Sequence, residues 1–276
     1  MTKAFDWTGR VGDVWAAEWQ RTDRSLAGVG AALNAAILAA APERGSAIDI
    51  GCGAGSTSLA LAAIRPALSI NGIDLSPALV GVARERGAGV ANLQFDIADA
   101  QSLGGRRADL LFSRHGVMFF ADPVAGFAAL REAAAPGAAL VFSCFRPRAD
   151  NAWTRVVDAA VGNDPAPVTG YAPGPYGLAD PDFTRDVLRR AGWTRAAPHS
   201  VDFRYVAGAG ADPVDDALSF LSRIGSAART LADAAPERRA ALCASLRNAL
   251  TQHVRDGAVA FDAGAWIWTA TAGEPA

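Results

Sequence analysis

Seven consecutive residues constrain this chain more than any others: Asp49-Ile50-Gly51-Cys52-Gly53-Ala54-Gly55. The apolar run 47–50 reads as a strand. Three alternating glycines then make a turn, and Ser56 opens a helical pattern (Leu59, Leu61, Ala62, Ile64) that stops before Pro66. A glycine turn between a strand and a helix lets the backbone pass close to a ligand at the carboxyl end of a sheet. The alternation continues downstream. Residues 68–74 read as a second strand, and Ser76-Pro77 caps and opens a helix to about Arg86. Residues 93–97 and 108–113 read as two more strands, and 122–135 as a helix capped by Asp122-Pro123 and closed by Pro136-Gly137. A fifth strand follows over 138–145. Strands alternating with helices of this length predict right-handed crossovers and a mostly parallel α/β sheet.

Outside this core the pattern is looser. Residues 12–41 are helical and Ala-rich, with Val14, Trp15, Ala17 and Leu26 on the apolar side, and they read as a cap over the sheet. A Pro/Gly-rich stretch covers 165–175, followed by a helix over 180–191 opened by Asp180-Pro181. Residues 199–206 suit a sixth strand and 213–254 two or three helices punctuated by Gly225 and Pro236. Residues 265–271 suit a last strand, giving seven. The expected organisation is one domain: a helical cap over 1–43, a ligand-binding core over 44–146, and an acceptor-side segment completing the sheet over 147–276.

The spacing of the glycines narrows the ligand. A dinucleotide fingerprint requires G-x-G-x-x-G, but Ser56 stands where its third glycine belongs, and Lys3, the single lysine, leaves no P-loop. Asp49 beside the turn suits a ligand bearing an ammonium and repels a pyrophosphate. Asp74 ends the second strand, where a carboxylate accepts from both hydroxyls of a ribose. Asp99 follows the third strand, placed to accept from an adenine amino group while the next backbone N–H donates to the ring. Each aspartate alone fits a cap or turn residue equally well. Three at successive strand ends, around a glycine turn without phosphate features, point to an adenosine with a cationic, phosphate-free tail.

Composition removes other classes. The 26 Lys and Arg balance 28 Asp and Glu, with no basic block to attract a nucleic-acid backbone. A hydrophobic fraction of 51% with 20% charged residues is that of a folded chain, and every apolar run is broken short of a membrane span. The first ten residues carry no leader-like apolar stretch, so a cytoplasmic location is expected. Cys52, Cys144 and Cys243 are scattered, which disfavours disulfides and any metal site.

The run 49–55, with Asp74 and Asp99-Ala100 downstream, resembles the class I S-adenosylmethionine-dependent methyltransferases, small-molecule branch. The segment 113–123 (Ser-Arg-His-Gly-Val-Met-Phe-Phe-Ala-Asp-Pro), then Leu130-Arg131-Glu132 and Pro136-Gly137, is similar to bacterial members related to the quinone-pathway C-methyltransferases. The resemblance covers nearly the whole chain. It implies a Rossmann-like fold with helices on both sheet faces, S-adenosylmethionine as methyl donor and S-adenosylhomocysteine as product. By position it carries Asp49, Gly51, Cys52, Gly53 and Gly55 to the methionine portion, Asp74 with Leu75 to the ribose, and Asp99 with Ala100 to the adenine, with Ser113 also on the cofactor side. A nicotinamide oxidoreductase and a non-catalytic nucleotide-binding sensor or scaffold are the rival readings.

Methyl transfer is an in-line displacement that requires alignment and, for a protonated acceptor, a base. His115, just past the fourth strand, has an ordinary pKa suited to that role and is the candidate base, or else a packing or acceptor contact. Arg114 could pair with an acidic acceptor or with a carboxylate of its own fold. Trp15, Tyr171 and Tyr176, with Trp7, Trp19 and Trp153, could close a pocket over a flat or apolar acceptor, or serve as ordinary core residues. His199 and His253 read as structural or surface. The Asn/Asp-Pro-Pro-Tyr motif of amino methylases is absent, because the matching place reads Ser113-Arg114-His115-Gly116.

Overall fold

The computed structural model describes residues 4–165 and 170–273, so part of the expected Pro/Gly-rich stretch, 166–169, lies outside the described residues. Four helices come first: α1 (Ala4–Trp7), α2 (Arg10–Ala17), α3 (Trp19–Ser25) and α4 (Ala27–Ala40). The core then alternates β1 (Gly45–Ile50), α5 (Ser56–Ile64), β2 (Leu68–Asp74), α6 (Pro77–Arg86), β3 (Leu93–Ile97), β4 (Ala108–Arg114), α7 (Pro123–Glu132) and β5 (Ala134–Phe145). The remainder is α8 (Ala152–Val161), α9 (Pro181–Arg190), β6 (Trp193–Gly208), α10 (Pro213–Leu221), α11 (Ser226–Asp233), α12 (Pro236–Thr251), β7 (Val254–Arg255) and β8 (Ala258–Ala272).

One sheet runs in the order β3-β2-β1-β4-β5-β8-β6, with β7 hairpinned onto β8. Every neighbour from β3 to β5 is parallel, and β8 alone in the row is antiparallel to both its neighbours. The two faces of the sheet bury alternate residues. Ile48, Ile50, Leu111, Phe142 and Trp268 enter one core, while Ala47, Leu110, Phe112, Val141 and Ile267 enter the other. Burial on both faces explains why the central strands read as continuous apolar runs.

The structure corrects several boundaries. The helix expected to reach residue 135 ends at Glu132. The Ala133 carbonyl accepts from Ala108 N at 2.9 Å, which draws the chain into pairing with β4, and β5 continues past Pro136-Gly137, where its pairing with β4 shifts register between Ala134 and Ala139. The sixth strand begins at Trp193, whose fully buried indole N–H donates to the Phe127 carbonyl at 2.9 Å. The eighth strand is the two-residue β7, turned into β8 through Asp256 (φ 51°) and Gly257 (φ 75°). Helix α8, absent from the sequence reading, buries Trp153, Val157 and Val161 along one face.

The amino-terminal region divides by role. Helix α4 is part of the layer on the sheet, with Leu33 and Ile37 fully buried beside Leu61 of α5. Helices α2 and α3 form the cap proper, and ion pairs anchor it. Asp216 of α10 binds Arg21 and Arg24, both at 2.7 Å, and buried Glu18 binds Arg21 at 2.8 Å and also Arg223. On the other side α2 crosses the start of α6 at Gly12, where a Cβ would sit 2.2 Å from the Trp7 carbonyl and 2.3 Å from Ser76 Oγ. Ser76 Oγ is already occupied as the helix cap, accepting from Leu79 N at 3.2 Å, so it cannot yield without loss. Gly12→Ala is therefore expected to cost about 1–3 kcal/mol by overpacking. Urea unfolding measures that loss, and limited proteolysis should show it concentrated in cleavage before residue 26.

Candidate active site

The three loop glycines all occupy left-handed backbone: Gly51 at φ 63°, Gly53 at 55° and Gly55 at 80°. Side chains resist this region, so the turn depends on glycine. Two of the three also make room. A Cβ on Gly51 would press on Gly116 Cα at 3.1 Å, and one on Gly55 would meet the Phe95 ring at 2.6 Å. Asp74 holds the loop in shape. One carboxylate oxygen accepts from Gly53 N at 2.9 Å and the other from Ser76 N at 2.8 Å, while burial pushes its pKa up.

At the carboxyl ends of the parallel strands lies a cavity of about 650 Å³, in the range of small-molecule sites. One end is walled by Gly51, Cys52, Gly53, Asp74, Leu75, Asp99 and Ala100, seven of the residues expected from sequence to hold the nucleotide. Asp99 also closes its own turn, accepting from Gln101 N at 2.9 Å. Gly55, Asp49 and Ser113 lie outside the wall. Ser113 is fully buried and ties β4 to β1, donating to the Ile50 carbonyl at 2.7 Å and accepting from Gly116 N at 3.2 Å.

Asp49 lies in the interior. Ser58 Oγ donates to one of its oxygens at 2.6 Å, and the other, buried, has no partner. Burial pushes its pKa up to about 7, opposed by the Ser58 hydrogen bond and the nearby Arg114 charge and reinforced by Asp74.

The other end of the cavity belongs to different elements. Met118, Phe120, Phe145, Trp153, Tyr205, Phe220 and Ile224 wall it, and Trp7, Trp15, Trp19 and Phe119 reach it from the cap and the β4–α7 connection. Trp7 packs against Trp15 at 5.7 Å and against Phe119 at 5.2 Å, and Trp153 stacks on Tyr205 at 4.7 Å. Of the expected acceptor residues, Trp15 and Arg114 reach the wall and the two tyrosines do not. Tyr171 OH braces the chain behind it, donating to the Phe120 carbonyl at 2.5 Å, and Tyr176 packs against Phe145 at 6.1 Å. Arg114 is bound to a carboxylate of its own fold, Asp23 of α3, at 2.5 Å. Asp23 also holds Arg86 at 3.2 Å, whose guanidinium covers Trp19 at 4.0 Å and donates to the Ala54 carbonyl at 2.6 Å. The cap is thus fastened across the cavity to the glycine loop. Asp23, Arg86, Tyr205, Phe220 and Ile224 went without a site role in the sequence, because they lie on five separate elements or turns that only the fold brings to one place.

His115 sits between the two ends, on the wall, with a left-handed backbone (φ 60°) rare for a side-chain-bearing residue. Its N–H donates to the Ser143 carbonyl at 3.1 Å, its Nδ1 lies 2.8 Å from Ser143 Oγ, and its ring meets Phe145 edge-on at 4.4 Å. Nε2 is buried without a partner. Burial first, and the Arg114 charge second, drive its pKa down to about 3, so the ring is neutral at physiological pH and a weak proton acceptor there. Among the described residues no cluster of His, Cys, Asp and Glu could hold a metal ion, and no helix is long and apolar enough to cross a membrane.

The Asp49 environment sets a pH dependence. A carboxyl whose pKa rises from its ordinary value to about 7 on folding stabilises the fold in its protonated form. That contribution is lost as pH climbs from about 4 to about 7. Asp49→Asn, which stays neutral, should match the native chain in stability near pH 4 and exceed it above pH 7. Melting temperatures of both proteins across that range test this.

The description "Methyltransferase domain" fits a family model matching residues 43–166, which span β1 through α8. Trans-aconitate 2-methyltransferase of Methylobacterium nodulans is 36% identical over 109 residues, 39% of this chain and 40% of that protein. The Methylobacterium radiotolerans protein of the same name is 35% identical over 95 residues, 34% of this chain and 35% of that one. The matched region is thus two fifths or less of these relatives' length. Two solved structures share the fold. Phosphoethanolamine N-methyltransferase 2 of Haemonchus contortus has a TM-score of 0.58 at 17% identity, over 99% of this chain and 61% of that one. The YcgJ protein of Bacillus subtilis has a TM-score of 0.56 at 17% identity, over 89% of this chain and 99% of that one. The glycine loop and the strand order agree with the methyltransferase-domain match, which covers the core from β1 through α8.

Proposed function

We propose that this protein transfers a methyl group from S-adenosylmethionine to a small-molecule acceptor. The observation that carries the reading is Asp74, a carboxylate on the cavity wall at the end of β2, clamped to a glycine loop that lacks every phosphate-binding feature. The residues present fit the cofactor. Gly53 leaves open space where a Cβ would stand, Asp74 offers charged acceptors to a ribose, and Asp99 with Ala100 borders the place of the base. One oxygen of Asp49 is buried without a partner, and the charge this carboxyl carries above about pH 7 favours an ammonium at the loop.

The bound cofactor supplies an electrophilic methyl carbon, whose bond to sulfur breaks with the electron pair left on sulfur. The protein contributes alignment and exclusion of water. The β1 and β4 ends hold the donor side, the segment beyond residue 147 shapes the acceptor side, and the cap roofs both. His115 lies at the junction as a neutral imidazole, poorly suited to taking a proton from an acceptor. The three free thiols suit a cytoplasmic setting.

Calorimetric titration with S-adenosylhomocysteine and, separately, with NADH tests the cofactor. The homocysteine compound should bind and NADH should not. Asp74→Ala should weaken binding about 10- to 100-fold, the equivalent of losing hydrogen bonds to a charged group. Unchanged affinity in that variant, or tighter binding of NADH, would sink the reading.

A further inference from the structure

The ion pair that ties the cap to β4 lies on the cavity wall and is not sealed from it. Asp23 and Arg114 both line the cavity, and their side chains are 19% and 14% exposed. Asp23 engages Nη2 of the guanidinium, whose Nε and Nη1 have no partner among the described residues and are not fully buried. A guanidinium carries five N–H donors in a planar fork, so Arg114 keeps donors to offer a ligand. Asp23 meets Arg114 through Oδ1 and Arg86 through Oδ2, and a carboxylate accepts more bonds than these two.

The pair selects the kind of ligand that can join it. A group bearing only a carboxylate would compete with Asp23 for Arg114 and leave one negative charge stranded in a partly buried place. A group bearing both charges displaces neither partner, because its carboxylate takes the remaining guanidinium donors while its ammonium takes Asp23. Position points the same way. Strands β3, β2, β1 and β4 lie side by side in that order. At or just past their carboxyl ends Asp99, Asp74, Gly51 and Arg114 reach the cavity wall in a row. Arg114 is close enough to β1 for its charge to lower the Asp49 pKa. With the base at Asp99 and the ribose at Asp74, the remainder of S-adenosylmethionine runs over Gly51 toward β4. That remainder ends in an α-amino acid, which is zwitterionic near neutral pH.

Resting on the methyltransferase reading above, we infer that the Asp23–Arg114 pair is the seat of the cofactor's amino-acid tail, with Arg114 donating to the tail carboxylate and Asp23 accepting from the tail ammonium. Asp23 belongs to α3 of the cap and Arg114 to β4 of the sheet. The cofactor site is thus completed by the cap, and the tail joins the clasp that holds the two together.

Isothermal titration of the full chain separates the parts of this interaction. Four probes are used: S-adenosylhomocysteine, its analogue lacking only the carboxylate, its analogue lacking only the amine, and 5′-methylthioadenosine, which has no amino-acid tail. On the native chain each single deletion should weaken binding at least about tenfold, the loss of a charge-assisted hydrogen bond. In Arg114→Met the carboxylate deletion should cost less than about threefold, because its partner is already gone, and in Asp23→Asn the same holds for the amine deletion. Both variants should bind 5′-methylthioadenosine as the native chain does, which reports an intact nucleotide end. Asp23→Asn keeps the size and shape of its side chain and carries the test alone should Arg114→Met not fold. Deletions that cost as much in the variants as in the native chain, or an equal weakening of all four probes in the variants, would overturn the seat and leave the methyltransferase reading standing. A native chain that binds none of the four probes would overturn both.

Discussion

The contact on which the site depends is backbone against backbone. Gly51, at the end of β1, and Gly116, just past β4, approach so closely that a Cβ on either would strike the other's Cα within 3.2 Å. These two strands flank the point where the order of the sheet reverses, with β2 and β3 laid to one side and β5 to the other. A crevice opens there in any α/β sheet of this kind. Here Ser113 secures it, bonded to Ile50 on one strand and to Gly116 beyond the other. The glycine-loop end of the cavity grows from β1 to β3 and the aromatic end from β4 onward. The position of His115 at their junction follows from the same closure, because its left-handed backbone turns the chain between Ser113 and Gly116.

A second constraint comes from charge. The cap lies over a cavity rich in aromatic rings, and apolar packing alone does not specify how such a lid is oriented. Its ion pairs do. Asp216 and Arg223 fix one side of α2 and α3, and Arg86 with Arg114 fixes the other through Asp23. Several of these pairs are partly buried, where removing one partner costs more than the pair itself contributes. The roof is therefore registered on both halves of the molecule, the glycine-loop core and the carboxyl-terminal segment.

The core was legible because its signals are local. Ser76-Pro77 and Asp122-Pro123 announce helix starts through capping chemistry, and the structure shows both caps accepting from the expected backbone N–H groups. Strands β2 and β3 fall on the expected residues. What failed was also physical. The end of α7 was misplaced because Pro136-Gly137 reads as a helix stop, whereas pairing of Ala134 with Ala108 had already ended the helix. The Asp256-Gly257 hairpin was a readable signal passed over. Helix α8 carried readable apolar residues at four-residue spacing, overshadowed by the Pro/Gly-rich stretch that follows it.

At the site the division is sharper. Sequence alone determined the glycine loop and the aspartates at the strand ends, because loop conformation and strand-end position depend on residues adjacent in the chain. Tertiary structure alone decided that Arg114 is neutralised by Asp23, that Tyr171 and Tyr176 stand behind the wall, and that His115 is desolvated into a weak base. It also decided that Tyr205, Phe220 and Ile224 line the same cavity. Charge pairing, burial and the shape of a cavity depend on groups brought together from as many as 205 residues apart, and no local pattern encodes them.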